Sequence, residues 1–457
     1  MSYWNLRQVQ AVVGGEIFGN SNVAPAALSI DTRTINPGDG FVAIRGQRDG
    51  HMFASRAVAG GAVFLLVDDV LPFNIPQLVV SDTLIALQRW GQARLDAFRP
   101  SKVFAITGSV GKTSTKELLA AATGAWKTIG NRNNTLGLPE ALATLPPNLS
   151  AAVLEMGIST PCEMKRLVEI APPDYGLITN IGTAHIENFA DGQKGIATAK
   201  GDLIRNLVSA KIWVHLNDDY WSNWLASQPW AKQTVAIGVG QGAVFGWDKV
   251  SSMGIYGEQF TFRFPGGSLR VKLRLRGAHQ VRNATLAGAI AVASGIDPEQ
   301  VVYGLGTVEP ALGRGRLHSF VGGGWLLDET YNASYDSVIA CAHSLLELDG
   351  GEPVVILGCI RELGSCSKDI HRETGEALRA IGIKRVWVYG DQSHALADGF
   401  GSGAHAFPDY EAMRDDTKGL SDVDPGARIL VKGSRFWAAE RVVDWLLKRF
   451  SSIVSEK

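Results

Sequence analysis

The sequence predicts an α/β protein built from three domains. Its 457 residues are enough for several hydrophobic cores. Apolar strand-like segments alternate with helical stretches, a pattern typical of parallel sheets covered by helices. Polar segments with a proline or glycines, at residues 99–102 and 312–315, interrupt that alternation. We therefore expect a small α/β domain over residues 1–99, a central parallel-sheet domain over 100–313 and a Rossmann-like α/β domain over 314–457.

The individual strands follow from short apolar runs bounded by glycine, proline or polar residues. In the first domain a helical pattern follows the strands and ends near Phe98. A stretch of alternating residues from Gln259 to Arg276 predicts an antiparallel hairpin added to the central domain. The expected strands are Phe41–Ile44, Ala62–Val67, Gln77–Val80, Ala151–Leu154, Gly176–Thr179, Ile212–Leu216, Thr234–Ile237, Trp325–Asp328, Val354–Leu357, Val386–Tyr389 and Ile429–Val431.

Composition excludes several classes of partner. Lysine plus arginine number 44 against 45 aspartate plus glutamate, so there is no basic excess for binding nucleic acid or anionic lipid. The amino-terminal residues lack the pattern of a signal peptide, and no apolar run is long enough to span a membrane. We expect a soluble, cytoplasmic, monomeric protein that acts on small molecules. Its four cysteines have no paired metal-binding spacing and are expected to be free, buried thiols.

A glycine-rich loop follows the apolar segment 103–106 and precedes a helical run. Glycines let backbone N–H groups approach phosphate oxygens, and the start of a helix favours an anion. In this arrangement Lys112 would neutralise the outer phosphates and the Thr113 hydroxyl would hold Mg²⁺. The spacing is shorter than the usual eight-residue loop because Ile106 stands where the first glycine is expected. A plain strand-turn-helix is the alternative. The loop comprises Thr107, Gly108, Ser109, Val110, Gly111, Lys112, Thr113 and Ser114.

Three more polar residues follow strand ends or helices of the central domain. Glu155 ends a buried strand, where a doubly wound sheet binds ligands, and its carboxylate could bind Mg²⁺. His185 follows the next strand end, and Lys200 comes fifteen residues later. Taken singly, the glutamate is as easily a solvated strand end, the histidine a packing residue and the lysine a surface charge.

The order of these motifs resembles the Mur ligases, which join amino acids to the peptide stem of bacterial cell-wall precursors. The resemblance covers nearly the whole chain. It implies that Lys112 binds the phosphates of ATP and that Thr113 and Glu155 hold one Mg²⁺. It also implies that His185 holds a second Mg²⁺ and that Lys200 is carbamylated. Carbon dioxide would convert that cation into a carboxylate-like ligand, whereas an unmodified lysine would repel the metal.

Further matches extend the resemblance to the rest of the nucleotide site. Residues 277–284 resemble a G-R-H-N-x-x-N-A segment, which makes Asn283 a candidate for reading adenine. Arg316 resembles the arginine that reaches the γ-phosphate, where a planar fork suits a dianionic group. Asp328, Tyr331 and Asn332 resemble a D-D-x-Y-N-A motif that closes over the nucleotide from the third domain.

The amino-terminal domain and the later motifs narrow the implied substrate. The first domain is similar to the UDP-substrate domain of the ligases that add the third amino acid or the terminal dipeptide. The motifs at residues 131–139, 362–364 and 432–441 resemble those of the branch that adds D-alanyl-D-alanine to a UDP-N-acetylmuramoyl tripeptide. His371 resembles the histidine that follows the E-L-G segment. The implied UDP-substrate residues are Asp31, Thr32, Arg33, Gly46 and His51.

Several departures from the family pattern lie toward the acceptor and interdomain side. Cys359 replaces an acidic residue, Thr135 stands where glutamate or histidine is common, and Ser334-Tyr335 replaces a frequent Asn-Pro pair. They leave two alternatives open. One is a related amide ligase with another carboxylate and amine, and the other is a non-catalytic protein that binds ATP or a UDP-sugar. The intact set Lys112, Glu155, His185 and Lys200 argues against the second alternative.

Overall fold

The computed structural model describes residues 4–207, 212–416 and 423–451, which form three α/β domains. The first domain has a five-stranded sheet. Asn5 and Asp82 cap its first and last helices by accepting backbone N–H groups in the first turn. Its elements are α1 (Leu6–Val13), β1 (Glu16–Phe18), β2 (Leu28–Ser29), β3 (Gly40–Val42), α2 (Ala54–Ala59), β4 (Phe64–Val67), β5 (Gln77–Val79) and α3 (Thr83–Ala97).

The strand order in this first sheet is β1-β5-β4-β3-β2. Strand β1 is antiparallel to β5, and the other pairs are parallel. Strands β2, β3 and β4 are neighbours and parallel, so the loops that follow them leave the same edge of the sheet. That edge carries the residues expected to bind the UDP substrate.

The central domain is a six-stranded parallel sheet with helices on both faces, as expected from the sequence. Its elements are β6 (Lys102–Thr107), α4 (Lys112–Thr123), β7 (Trp126–Lys127), α5 (Gly137–Leu142), β8 (Ala151–Glu155), α6 (Glu163–Ile170), β9 (Tyr175–Ile178), α7 (Gly192–Arg205), β10 (Ile212–Leu216), α8 (Tyr220–Ser227), β11 (Val235–Val239), β12 (Gly246–Ser252), β13 (Glu258–Phe264), β14 (Gly267–Leu273), α9 (Ala278–Ala293) and α10 (Pro298–Thr307).

The strand order of the central sheet is β11-β10-β9-β6-β8-β7. Strand β6, which leads into the phosphate loop, lies between β8 and β9, so the ends of three buried strands meet at one place. The predicted hairpin is confirmed as β13 and β14, which pair antiparallel and bind β12 to form a separate three-stranded sheet. Phe260, Phe262, Val271 and Leu273 of this sheet are buried in the same core as α9.

Helix α3 joins the first domain to the central domain. It packs against α5 and α6. The Nε2 of Gln88 donates to the carbonyl of Thr135 at 2.9 Å, and Arg94 Nε donates to the carbonyl of Leu145 at 3.0 Å. The Oε1 of Gln88 accepts from Arg166, whose Nε and guanidinium NH2 lie 2.9 and 2.6 Å away. Helix α3 therefore supplies much of the contact between these two domains, to which α5 and β2 also contribute.

The third domain has a six-stranded sheet in the order β15-β16-β20-β17-β18-β19, parallel except for β15. Its elements are β15 (Arg316–Ser319), β16 (Trp325–Glu329), α11 (Tyr335–Leu346), β17 (Pro353–Gly358), α12 (Ser367–Ala380), β18 (Arg385–Tyr389), α13 (Ser393–Phe400), β19 (Ala404–Phe407), α14 (Tyr410–Asp415), β20 (Arg428–Lys432) and α15 (Glu440–Ser451).

The domain limits drawn at residues 99/100 and 313/314 stay predictions, although both fall between elements of different sheets. Among the described residues, no helix is both long and apolar enough to cross a membrane. The expectation of four buried thiols was wrong for two of them. All four cysteines are free, but only Cys341 and Cys359 are buried, and Cys162 and Cys366 are exposed.

Candidate active site

The glycine-rich loop lies between the end of β6 and the start of α4. Gly108 and Gly111 have φ angles of +148° and +85°. A Cβ on Gly108 would lie 1.8 Å from the Thr179 hydroxyl, and one on Gly111 would lie 2.7 Å from Oδ1 of Asn283. Both positions therefore require glycine. Because α4 begins at Lys112, the free N–H groups of its first turn point toward the loop.

Two lysine amines meet at one carbonyl of this loop. Nζ of Lys112 donates to the carbonyls of Gly108 at 2.6 Å and Ser109 at 3.2 Å. Nζ of Lys200, on α7, donates to the same Gly108 carbonyl at 3.2 Å. Burial lowers the pKa of Lys112, and burial together with the charge of Lys112 lowers the pKa of Lys200 well below its usual value. The structure thus brings these two predicted site residues together.

The predicted metal ligands Thr113 and Glu155 also lie side by side. The Thr113 hydroxyl donates to Oε2 of Glu155 at 2.9 Å, and Asn133 donates to the other carboxylate oxygen at 2.9 Å. Nζ of the buried Lys116 lies 3.5 Å from Oε2. No cluster of three or more His, Cys, Asp and Glu side chains suited to a metal occurs in the described part of the chain. A cation bound here would be coordinated by oxygens of Thr113 and Glu155, together with oxygens of a bound ligand.

Residues after β9 hold the loop in place, and the sequence did not single them out as site residues. The Thr179 hydroxyl donates to the carbonyl of Val110 at 2.5 Å. Oδ1 of Asn180 accepts the N–H groups of Ser109 and Val110 at 3.2 and 2.9 Å. Both lie at the carboxyl end of the strand beside β6, which is the signal that could have identified them.

His185 lies at the interface with the third domain, away from the Thr113 and Glu155 pair in its contacts. Its Nδ1 is 2.6 Å from Oε2 of Glu362, a residue of the third domain. Close by, the N–H of Gly364 donates to Oε2 of Glu187 at 3.0 Å. The contact with His185 lowers the pKa of Glu362. Two carboxylates therefore connect the central and third domains beside the predicted second metal ligand.

The motif of the third domain that was predicted to bind the nucleotide lies at the start of that domain. Asp328 is buried, and its carboxylate accepts the N–H of Gly313 at 3.3 Å and the Thr330 hydroxyl at 2.6 Å. Tyr331 lies under the guanidinium of Arg314, whose Cζ is 3.8 Å from the ring centroid. Asp328 and Tyr331 thus organise the start of the third domain, whatever they contribute to a nucleotide.

The other residues predicted to bind the nucleotide lie on β15, after β16 and on α9. Arg316 is exposed on β15, opposite Asp328. Asn332 is exposed, and its Oδ1 accepts the N–H of Ala333 at 2.8 Å. Asn283 is buried on α9 beside Gly111, where it donates to Gln280 at 3.2 Å.

The predicted UDP-substrate residues lie in loops at one edge of the first sheet. Arg33 pairs with Asp31 at 2.6 Å and lowers the pKa of that carboxyl, and Thr32 lies between them. His51 has both ring nitrogens engaged: Nδ1 lies 2.6 Å from Asp49, and Nε2 accepts the N–H of Asp68 at 3.1 Å. His51 therefore shapes this loop through its neighbours. Gly46 bonds back to Arg48 within the same loop.

Similarity to known proteins decides the family. The Mur ligase middle domain matches residues 106–291, and the Mur ligase, glutamate ligase domain matches residues 313–435. The chain is 35% identical to the UDP-N-acetylmuramoyl-tripeptide--D-alanyl-D-alanine ligase of Escherichia coli K12, covering 96% of this chain and 97% of that protein. The chain belongs to the Mur ligase family.

Solved structures of Mur ligases have the same fold. A crystal structure of MurF from Acinetobacter baumannii superimposes with a TM-score of 0.88 at 30% identity, over 98% of this chain and 99% of that one. MurF ligase from Thermotoga maritima, solved in complex with ADP, gives a TM-score of 0.78 at 25% identity, over 93% and 98% of the two chains. The predicted three-domain α/β architecture is confirmed.

The structure explains Cys359 and Ser334 among the departures from the Mur ligase pattern. Cys359 follows β17 and is fully buried in the core of the third domain, where burial raises the pKa of its thiol to about 12. It is a packing residue. The carbonyl of Thr135 accepts Gln88 at the contact between the first two domains. Ser334 caps α11, and its N–H donates to the hydroxyl of Ser337 at 2.9 Å.

Proposed function

We propose that this Mur ligase adds D-alanyl-D-alanine to UDP-N-acetylmuramoyl tripeptide, using ATP, in the synthesis of peptidoglycan precursors. The observation that carries the proposal is the convergence of Lys112, Thr113 and Glu155 on one loop at the meeting point of β6 and β8. The full-length similarity to a ligase with that name supports the choice of substrates. The buried position of Cys359 supports it further, because this departure lies in a core and presents no changed group to an acceptor.

The reaction proceeds in two steps, and neither step involves oxidation or reduction. First, the carboxylate that ends the tripeptide attacks the γ-phosphorus of ATP, an O–P bond forms, and the bond to ADP breaks. The neutral amine of the dipeptide then attacks the acyl carbon, loses a proton and expels phosphate. Phosphorylation is needed because a free carboxylate repels nucleophiles and has a poor leaving group.

The chain's own groups stabilise the charge of this transfer. Lys112 is fixed over the loop by two carbonyls, so its amine is positioned before ATP arrives. The backbone N–H groups at the start of α4 face the phosphates. Arg316 is proposed to reach the γ-phosphate, and Asn283, Asp328, Tyr331 and Asn332 to close the nucleotide site from both domains. Closure would keep water from the acyl phosphate.

Two Mg²⁺ ions are part of the proposal, and the residues present fit the first of them. The Thr113 hydroxyl and the Glu155 carboxylate offer adjacent oxygens at a strand end, the donor type that Mg²⁺ prefers. When bound, the ions would neutralise charge on the triphosphate. His185 and Lys200 are proposed for the second ion.

We propose carbamylation of Lys200 because its surroundings favour the neutral form of its amine. A carbamate forms when a neutral amine bonds to the carbon of carbon dioxide and releases a proton. Burial and the neighbouring Lys112 favour the neutral amine, and the Gly108 carbonyl is the polar partner at 3.2 Å. Carbamylation would convert this crowded amine into an anion beside Lys112.

The remaining parts of the proposal concern the loops that bind the UDP part, the domain bounds, the oligomeric state and the location of the protein. The loops with Asp31, Thr32, Arg33, Gly46 and His51 are proposed to hold the UDP part, because they leave one edge of a parallel sheet. The domains are proposed to span residues 1–99, 100–313 and 314–457. The protein is proposed to act as a monomer in the cytoplasm.

The test is a turnover measurement with each substrate omitted in turn. Purified protein with UDP-muramoyl tripeptide, D-alanyl-D-alanine and MgATP should release ADP and phosphate only when both acceptor substrates are present. Mass spectrometry of the product should show the tripeptide extended by the dipeptide. ADP release that needs neither substrate, or robust turnover only with another carboxylate and amine, would refute the proposal.

A further inference from the structure

The loops after three neighbouring strands of the third domain meet around one arginine that the proposed nucleotide site does not use. Strands β20, β17 and β18 are adjacent and parallel, so their carboxyl ends lie at the same edge of the sheet. Arg361 lies after β17, in a loop of residues 359–364 that we call the Glu362 loop. Asp391 follows β18, and Phe436 follows β20. This edge of a parallel sheet is where α/β domains bind their ligands.

The guanidinium of Arg361 is held by residues of the two neighbouring loops. Its Nη1 donates to Oδ2 of Asp391 at 2.8 Å. Its Cζ lies 4.6 Å from the ring centroid of Phe436 and 6.0 Å from that of Trp437. An aromatic contact uses the face of a guanidinium and leaves its in-plane N–H groups for another partner. Within the described ranges, Nε and Nη2 of Arg361 have no hydrogen-bond partner.

The backbone that carries Arg361 is fixed by side chains from later parts of the third domain. Nε2 of His371 accepts the N–H of Ile360 at 3.0 Å. The Ser434 hydroxyl accepts the N–H of Arg361 itself, also at 3.0 Å. Two successive backbone groups are thus anchored, so the guanidinium is presented in a defined position before any ligand arrives.

Arg361 lies one residue from the interface with the central domain. The carboxylate of the next residue, Glu362, is 2.6 Å from Nδ1 of His185. Two residues further on, the N–H of Gly364 donates to Oε2 of Glu187 at 3.0 Å. A group bound by Arg361 would therefore lie beside the interface at which the phosphate loop and the third domain meet.

The stability of the third domain does not account for this arrangement. The side chains of Arg361 and Asp391 are 42% and 49% exposed, and ion pairs with this much solvent contribute little. Phe436 is 69% exposed, so it buries little apolar surface. A fixed guanidinium with available N–H donors suits a carboxylate, to which its fork can donate twice. The exposed ring beside it suits small apolar groups.

We propose that Arg361 binds the terminal carboxylate of the dipeptide substrate and that Phe436 packs against its methyl groups. The inference rests on the proposed function and names the groups by which this chain recognises the dipeptide. D-alanyl-D-alanine carries one carboxylate and two methyl groups, which match one guanidinium and one exposed aromatic ring. Its amine lies at the other end, about 7 Å away in an extended dipeptide, and remains available to attack the acyl phosphate.

The test compares D-alanyl-D-alanine with its C-terminal amide, at saturating UDP-muramoyl tripeptide and MgATP. In the wild-type protein the KM of the amide should be about 10- to 100-fold higher, because the amide cannot form the charge-assisted pair. Arg361→Ala should raise the KM of the dipeptide by that factor and leave the KM of the amide nearly unchanged. Arg361→Lys should keep part of the preference, since an ammonium lacks the fork. Phe436→Ala should raise both KM values a few-fold.

Arg385→Ala is the matched control. Arg385 forms a similarly exposed ion pair with Glu352 at 3.0 Å, but it lies at the amino end of β18. It should leave both KM values unchanged, and all variants should keep the wild-type KM for ATP and the wild-type circular dichroism spectrum. Equal KM values for dipeptide and amide in the wild type, or an undiminished preference in Arg361→Ala, would overturn the inference and leave the ligase assignment intact. No turnover of the dipeptide by the wild type would instead refute the proposed function, and the inference with it.

Discussion

The phosphate loop of the central domain and the Glu362 loop of the third domain face the same interface but are built differently. The phosphate loop follows directly from a buried strand and ends in a helix, and its shape depends on Gly108 and Gly111. The Glu362 loop is held by His371 and Ser434, and it contacts a segment 177 residues away in sequence. The first loop is held by residues of its own domain, among them Thr179 and Asn180, whereas the second also contacts a different domain.

We expect this difference to give the two loops separate roles in the proposed reaction. A phosphate loop that forms with its own domain can hold a nucleotide before the third domain closes. The loop anchored in the third domain contacts His185 across the domain interface. Changes in the first should therefore abolish the reaction, and changes in the second should modulate it.

The largest effect is expected from Lys200, whose amine donates to the Gly108 carbonyl of the phosphate loop. Replacing it with alanine removes the proposed carbamate ligand and should lower kcat by roughly 10²- to 10³-fold, with acetate or formate restoring part of the rate. Lys194→Ala, on an exposed turn of the same helix, is the control and should behave as wild type. ADP release in a coupled assay measures the effect. Unchanged turnover in Lys200→Ala would show that the reaction at the phosphate loop does not need this residue.

A pair of glycine substitutions compares the two loops directly. Gly108→Ala places a Cβ against the Thr179 hydroxyl at a strained φ. We expect it to lower the free energy of unfolding by about 2–4 kcal/mol and to abolish ATP binding. Gly364→Ala costs about 1 kcal/mol in backbone strain and crowds Glu187, so ATP binding should persist while kcat falls a few-fold. Thermal unfolding and nucleotide titration give both quantities. Equal loss of ATP binding in the two variants would remove the distinction between the loops.

The smallest effect concerns pH and the contact of α9 with the third domain. Burial, then the charges of Lys432 and Arg282, lower the pKa of His279 from 6.5 to about 4. Since the folded pKa is lower than the unfolded one, stability is complete above pH 6.5 and is lost as the pH falls toward 4. At about pH 5 the loss should be roughly 1 kcal/mol after allowance for solvent. His279→Gln should reduce this pH dependence of the urea midpoint, and identical pH profiles would argue against it.

Much of the local structure could be predicted from sequence because it depends on neighbouring residues. Strand β10 has the predicted bounds, and the other buried strands differ by one or two residues at their ends. Strands β1, β2, β7, β12, β15 and β19 were not predicted. Apart from the two-residue β2, their residues are largely half-buried or exposed, so they lack a continuous apolar run.

Site residues divide along the same line. The pairing of Thr113 with Glu155 could be predicted because Thr113 begins the helix that follows β6 and Glu155 ends the neighbouring parallel strand β8. The contact between His185 and Glu362 could not, since it depends on how two domains pack. The role of His371 was similarly hidden. Its sequence neighbourhood gives no sign that its ring holds the backbone of Ile360.

The seam formed by helix α3 has a consequence for protein engineering. Gln88 and Arg94 attach this helix to carbonyls of the central domain, although its chain position assigns it to the first. A chimera that exchanges the UDP-binding module at residue 99 would import a foreign α3 and sever these attachments. Grafting only the residues before Asp82, with the resident helix left in place, would preserve the joint. Because Ala86, Leu87 and Trp90 of the same helix pack in the core of the first domain, either exchange would require repacking one face of α3.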